Sequence, residues 1–308
     1  MADISMKYVD GFVDTNYGSK FVETLYEKNW LIPGVTYTDE YGQEAGAGRF
    51  IFHKQDDSAT NAPEEVGADY AKENYSNTEV HLTLLNQYSE SVKIPSATIA
   101  ATSASVIENT HRNQANKIAT RQMRSAIACL LTEGTGVASK GGSALTESNI
   151  RERILSAAAD GAMELGDVDT VLIRPDLYAM LVGIIPKSQI TPAANDDLVR
   201  NGIRVNSFNW NGINIFSVPS LANKAGATYS YITMDGNTKS TKTVAAANVQ
   251  KANFIAYNHR AFAKVDLLSM VKAFDSHTFP GVEINACVTS GFGAIYGKHI
   301  IVDKSSTT

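Results

Sequence analysis

Among the side chains of this chain that could bind a metal or move a proton are six histidines, two cysteines and the carboxylate pairs Asp56-Asp57 and Asp196-Asp197. Their spacing keeps them apart. His53, His81, His111, His259, His277 and His299 stand at no ligand interval, and Cys129 and Cys287 lie far from one another, whereas a zinc site needs clustered donors. Asp56-Asp57 and Asp196-Asp197 fall in polar loops, where solvated charge is the simpler reading than an acid–base pair or a metal site. Gly46-Ala47-Gly48 and Gly134-Thr135-Gly136 do not join a strand to a helix as a phosphate-cradling loop does. No Gly-x-Ser-x-Gly elbow is present. The histidines read as surface or interface residues, the glycines as turns, and the cysteines as small buried hydrophobes. No catalytic residue, cofactor or metal ligand is predicted, and nothing supports an enzyme.

The charged residues that do share a face are cations. Between Ser103 and Glu133 there is neither proline nor glycine. Ile107, Ala115, Ile118, Ala119, Met123, Ala126, Ile127, Leu130 and Leu131 recur at three- and four-residue spacing, the period of one helical face. Lys117, Arg121 and Arg124 fall together on an exposed side of that helix. Asn109 to Gln114, with Asn116 and Lys117, crowd the start of the apolar stripe, so the helix is expected to be only half buried in its own chain. At 1.5 Å per residue it would run roughly 45 Å, the length of a strut.

The elements around this helix have to position it. With 308 residues, 44% of them hydrophobic and 19% charged, the chain has the composition of a folded globular protein. A net charge of −5 with no concentrated basic patch excludes a dedicated electrostatic DNA binder. No apolar run has the length of a signal peptide or a membrane span, and synthesis and retention in a cytoplasm are expected.

Residues 1–32 carry Phe12, Phe21, Leu25, Trp30 and Leu31 on a segment too short for a core, stopped at Pro33-Gly34. Residues 35–95 read as extended chain. Val35, Tyr37, Phe50, Phe52, Val80, Leu82 and Leu84 alternate with polar residues on either side of a long polar tip from Gln55 to Asn77. A tip of that length is usually functional or mobile. A second helix is expected over Glu147 to Leu165. Next come a buried strand Thr170–Ile173, a helix opened by Pro175, and strands at Gly212–Val218 and Tyr229–Ile232, a small α/β unit. Val282, Ile284, Ala286 and Val288 alternate with Glu283, Asn285, Cys287 and Thr289, a half-buried strand. Val265 to Phe274 is its partner across Pro280-Gly281. Residues 303–308 read as a polar tail.

In this order the pieces resemble the major capsid protein of tailed bacteriophages, the Hong Kong 97-type fold family. Three stretches carry the local likeness: Asp169 to Val182 (DTVLIRPDLYAMLV), Trp210 to Leu221 (WNGINIFSVPSL) and Val282 to Val302 (VEINACVTSGFGAIYGKHIIV). The resemblance covers nearly the whole chain and rests on element order more than on invariant residues. It implies an α+β, Hong Kong 97-like capsid fold. The N-terminal arm would be residues 1–33 and the extended loop 34–95. The peripheral domain would be 96–145 and 263–295, with the spine helix at 103–133. The axial α/β domain would be 146–262 and the closing strand and tail 296–308. The chain starts at Met1 in the arm, without the scaffolding segment that many members carry, so a separate scaffolding protein or none is implied. No motif selects a Lys–Asn pair for the cross-link some members form.

The function the resemblance implies is a structural subunit that self-assembles, as pentamers and hexamers, into the icosahedral head of a tailed phage around double-stranded DNA. Portal, scaffolding and decoration proteins would be its further partners, with no membrane. Its place would be the virion, assembled in the bacterial host cytoplasm. Phe12, Phe21, Leu25, Trp30 and Leu31 would contact neighbouring subunits. Lys117, Arg121 and Arg124 would be candidates for a basic inner surface, with a solvated face or an intersubunit salt bridge as the competing reading. A nanocompartment shell around a cargo enzyme and a soluble α/β enzyme are the alternatives.

Overall fold

The computed structural model describes residues 42–44, 49–55, 77–83, 85–88, 92–95, 105–138, 142–162, 166–186, 189, 207–235, 238–275 and 280–305. Five strands come first: β1 (Gly42–Glu44), β2 (Arg49–Gln55), β3 (Asn77–Thr83), β4 (Leu85–Tyr88) and β5 (Val92–Pro95). The long helix α1 (Ser105–Glu133) follows, then β6 (Gly136–Val137), α2 (Ile150–Asp160), β7 (Thr170–Ile173) and α3 (Pro175–Ile184). Next are β8 (Ser207–Trp210), β9 (Ile213–Ser217), α4 (Pro219–Ala222), β10 (Tyr229–Asp235), β11 (Thr238–Val244) and α5 (Ala246–Lys251). Strands β12 (Ala252–Tyr257), β13 (Phe262–Asp275), β14 (Gly281–Ala294) and β15 (Ile301–Lys304) close the order.

Helix α1 forms because its 29 residues are dominated by good helix formers without a breaker. It spans two layers. Its first half lies on β14, where Ala115, Ile118 and Ala119 meet Ala286 and Val288. The buried Gln114 donates from Nε2 to the Ile284 carbonyl at 3.1 Å, which satisfies a strand oxygen. The second half differs from the expected half-buried strut. Ala126 to Leu131 are all buried, because β10 and β11 also pack against the helix. The helix end is therefore central to the core.

Under the first half of α1 lies a four-stranded sheet in the order β13-β14-β4, with β5 also paired to β14. The β13–β14 hairpin is the partner pair that its alternation predicts, Val265 opposite Gly291 and Phe274 opposite Glu283. Strands β4 and β5 lie end to end along the other edge of β14, at Ser290 to Cys287 and Ile284 to Gly281. The stretch 36–93 is expected from the sequence to project from the subunit and pack on a neighbour, and β4 and the start of β5 belong to it. In the described residues these strands do not project: their backbone groups complete the edge of a long strand in their own chain. Strands β2 and β3 pair over seven positions, from Arg49–Thr83 to Gln55–Asn77. Phe52 and Leu82, both buried, plant the root of this hairpin in the same core as α1. The tip, 56–76, lies outside the described residues.

The second layer is a six-stranded mixed sheet in the order β6-β15-β12-β7-β9-β8. Its strands alternate between two cores. Val171, Ile173, Phe254, Ala256 and Ile301 face helices α2 and α3. Leu172, Ile255, Tyr257 and Val302 face the end of α1 and the β10–β11 hairpin. Both faces are covered, which explains why these strands read as continuous apolar runs. The tight β8–β9 turn is Asn211-Gly212, with φ of 52° and 83°, the two positive-φ residues of a primed hairpin turn. Helix α2 is shorter than the 147–165 expected, ending at the Gly161 cap. Asp303 and Lys304 are not tail. They finish β15, which is inserted between β6 and β12.

Candidate assembly surface

The three cations predicted for one face of α1 separate in the fold. Lys117 and Arg121 are exposed, while Arg124 is half-buried. Its guanidinium lies over the Tyr229 ring, 5.5 Å from the centroid, a cation–π geometry. The cause is tertiary: β10 starts at Tyr229 and packs on α1. The Tyr229 hydroxyl donates to the Ser220 carbonyl at 2.6 Å. Burial raises the Tyr229 pKa, and Arg124 offsets part of that rise.

Beside Arg124 a cavity of about 300 Å³ opens between α1 and the segment 219–229. Ala119 and Met123 form its apolar floor, and Arg124, Lys224, Thr120 and Ser220 supply polar groups. The far wall is rigid. Asn223 sits at φ 42°, donates to the Ala227 carbonyl at 2.9 Å, accepts from the Ala227 amide at 3.0 Å, and takes the Gln250 side chain on its own carbonyl at 3.1 Å.

At the C-terminal end of α1, Glu133 accepts from Lys242 at 2.6 Å and from the Tyr231 hydroxyl. A carboxylate is unfavourable at this end of a helix dipole, and Lys242 offsets it. Burial pushes the Glu133 pKa up, but the Lys242 and Tyr231 hydrogen bonds outweigh it and the net shift is downward. Burial, together with the nearby Glu133, pushes the neighbouring Cys129 thiol well above its ordinary range. Cys129 is an inert core side chain, as its sequence context predicts.

In the six-stranded layer, Arg153 and Asp303 are paired at 2% and 0% side-chain exposure. Arg153 donates Nε to Asp303 at 2.9 Å, and Asn253 donates to the same carboxylate at 2.7 Å. His259 and Asp169 form a more exposed pair, with the His259 amide donating to Asp169 at 3.0 Å. Sequence reasoning missed both pairs and the Glu133–Lys242 contact. The one available signal was Arg153 beside Ile154 on the apolar face of α2. Its partner lies 150 residues away, beyond any local pattern.

Phe12, Phe21, Leu25, Trp30 and Leu31 lie outside the described residues. Among the described residues, no group of three His, Cys, Asp or Glu side chains could hold a metal ion, and no helix is long and apolar enough to cross a membrane. What the geometry presents is a two-layer body, a hairpin rooted in it, and a cationic helix flank with an adjoining cavity.

Known structures share this architecture. The chain is similar to a structure titled Mycobacterium phage Che8, with 16% identity, a TM-score of 0.53, and 85% of this chain and 86% of that one covered. It is similar to the capsid of Cyanophage P-SCSP1u, with 14% identity, a TM-score of 0.56, and 90% and 87% covered. It is also similar to the mature capsid asymmetric unit of bacteriophage PhiM1, with 10% identity, a TM-score of 0.55, and 91% and 87% covered. At these identities the likeness is one of fold, and the fold is the Hong Kong 97-like α+β class that the element order predicts. No curated protein sequence matches. Residues 98–278, more than half of the chain, match the family model described as phage capsid protein. The chain belongs to that family, and its role is structural, that of a major capsid protein.

Proposed function

We propose that copies of this chain associate as pentamers and hexamers into the icosahedral head of a tailed phage and enclose double-stranded DNA without reading its sequence. The observation that carries this reading is the capsid-family match over 98–278, which includes all of α1, the six-stranded layer except β6's neighbour β15, and β13. The described residues supply mainly packed core and small ion pairs, which suits a subunit whose strength comes from repeated modest interfaces. The chain acts as a scaffold element and not as a catalyst. Scaffolding, portal and decoration proteins are its further partners, and the host cytoplasm is where it assembles.

Expression of the full chain, followed by electron microscopy and nucleic-acid analysis of the particles, tests this. Closed shells are expected, loaded with DNA when made during infection. Shells around a protein cargo would identify a nanocompartment instead, and monomers with a turnover activity would refute the shell role. The arm is part of the proposal. Phe12, Phe21, Leu25, Trp30 and Leu31 are apolar residues on a segment with no core of its own, the composition of an interaction surface. Deleting residues 1–32 is expected to leave a folded subunit, seen by circular dichroism, that no longer forms shells by light scattering. Normal shells from the truncated chain would rule out a clasp.

A further inference from the structure

Neither wall of the cavity between α1 and segment 219–229 carries a carboxylate. From Asn109 to Thr132 the helix has Arg112, Lys117, Arg121 and Arg124 and no Asp or Glu, and from Pro219 to Tyr229 the facing segment has Lys224 and no Asp or Glu. In a chain of net charge −5 this concentrates positive potential at one opening. Arg124 and Lys224 line the cavity itself, and among the described residues neither is ion-paired. Arg124 is held by the face of the Tyr229 ring, 5.5 Å from its centroid. Its Nε is buried without a hydrogen-bond partner among the described residues. Packing therefore fixes the guanidinium in place, with its forked N–H donors unmatched by any carboxylate. Lys224 is exposed on the opposite wall, a point charge on a flexible stem.

We propose that this cavity binds a phosphate ester, its phosphate held between Arg124 and Lys224 and its organic part laid on Ala119 and Met123. A guanidinium fork matches the oxygens of a phosphate, and the Ser220 hydroxyl on the same lining is a further donor. The floor of Ala119 and Met123 offers a bare ion no contact of its own kind, whereas the sugar or base of a nucleotide would bury apolar surface there. A volume of about 300 Å³ is the lower end of small-molecule sites. It has room for one nucleotide and not for a stretch of duplex. Two sources share this chemistry: the backbone of enclosed DNA, meeting the rim at one nucleotide, and a free nucleotide. The first rests on the DNA-enclosing reading above and deepens it by naming the contact.

The test uses purified full-length protein, with deoxyadenosine monophosphate, inorganic phosphate and succinate as probes in calorimetry and a labelled DNA duplex in fluorescence anisotropy. The nucleotide is expected to bind more tightly than inorganic phosphate, and succinate least. Lys224→Glu should weaken nucleotide binding on the order of tenfold. Ala225→Phe, an uncharged plug at an exposed position of the lining, should do the same with an unchanged circular dichroism spectrum. Lys117→Glu, outside the lining, should leave nucleotide binding as it was. If the backbone of DNA is the source, Lys224→Glu also weakens the duplex and lowers its salt slope by about one, and the nucleotide competes with the duplex. Duplex binding that ignores Lys224→Glu while nucleotide binding falls would assign the cavity to a free nucleotide. Absent nucleotide binding, succinate bound as tightly, indifference to both cavity variants, or an equal loss in Lys117→Glu would overturn the site. These readings need no assembled particle, and particle formation by the unaltered chain is scored separately, so failure of the shell reading and failure of this site are distinct results.

Discussion

Asp303 shows how much one residue can decide in this subunit. It is fully buried and ion-paired to Arg153, with Asn253 as a second donor. A buried pair of this kind adds little net stability compared with an apolar substitute, but losing one partner leaves the other charge stranded. Asp303→Asn is therefore expected to destabilise the subunit by roughly 3–5 kcal/mol, read as a lower denaturant midpoint. Replacing Arg153 and Asp303 together with Met and Leu should recover most of that loss. Glu133 makes a different prediction because it is partly solvated. Its folded pKa lies below the ordinary 4.5, so it binds fewer protons folded than unfolded. Its stabilising contribution is complete above pH 4.5 and lost as pH falls through the depressed folded value. Protection of the β10–β11 amides against hydrogen exchange, taken relative to the intrinsic rate at each pH, should fall below that range, and Glu133→Gln should remove this pH dependence while lowering protection at neutral pH.

Two glycines at the ends of elements predict opposite outcomes for one substitution. Gly297 lies where the chain passes the end of α1, and a Cβ there would sit 2.4 Å from the Glu133 carbonyl oxygen. Backbone would have to move, so Gly297→Ala should separate the C-terminal turn from the helix end and lower the melting temperature. Gly183 is inside α3 and exposed, and a Cβ there meets nothing within 4 Å. Gly183→Ala should stabilise by about 0.5–1 kcal/mol, since alanine is the better helix former and narrows the unfolded ensemble. Differential scanning calorimetry of the two variants reads both signs directly. The second half of α1 is the element with the least tolerance: Ile127 and Leu130 are fully buried, and truncating either to alanine should cost about 2–5 kcal/mol.

At the scale of the molecule, the last strand is inserted and not appended. β15 runs parallel to β6 at Ile301–Gly136 and antiparallel to β12 at Ile255–Val302. The six-stranded layer cannot close before the final residues of the chain are in place, and Arg153 lacks its partner until then. A chain ending at Ile300 is expected to be insoluble or molten, with exposed apolar surface detected by dye binding. Because Met123 and Ala126 to Leu131 belong to the same core cluster as Leu172, Ile255 and Val302, this loss should propagate to α1 and to the hairpin rooted by Phe52 and Leu82.

Local pattern was enough to identify α1, the β13–β14 hairpin, the buried strand β7 and the Pro175 helix start. Each of these is written in spacing or turn chemistry within about 30 residues, the reach of helical and strand periods. The same residues in order carried the capsid resemblance. The Asn211-Gly212 turn was equally legible and implies β8, to which the sequence reading assigned no element. Other features depended on contacts that no window contains. Asp303 follows an apolar run and looks like the start of a tail, yet its burial is set by Arg153, 150 residues earlier. Lys117, Arg121 and Arg124 share a helical face by spacing, but the approach of Tyr229 turned Arg124 into a cavity wall and left the other two outside. Strands β4 and β5 belong to the stretch that reads as extended chain, and β14 claimed them because a 14-residue strand with an open edge has backbone groups to satisfy. Periodicity reports which face of an element is apolar, whereas the partner that covers it is decided only when the whole chain has packed.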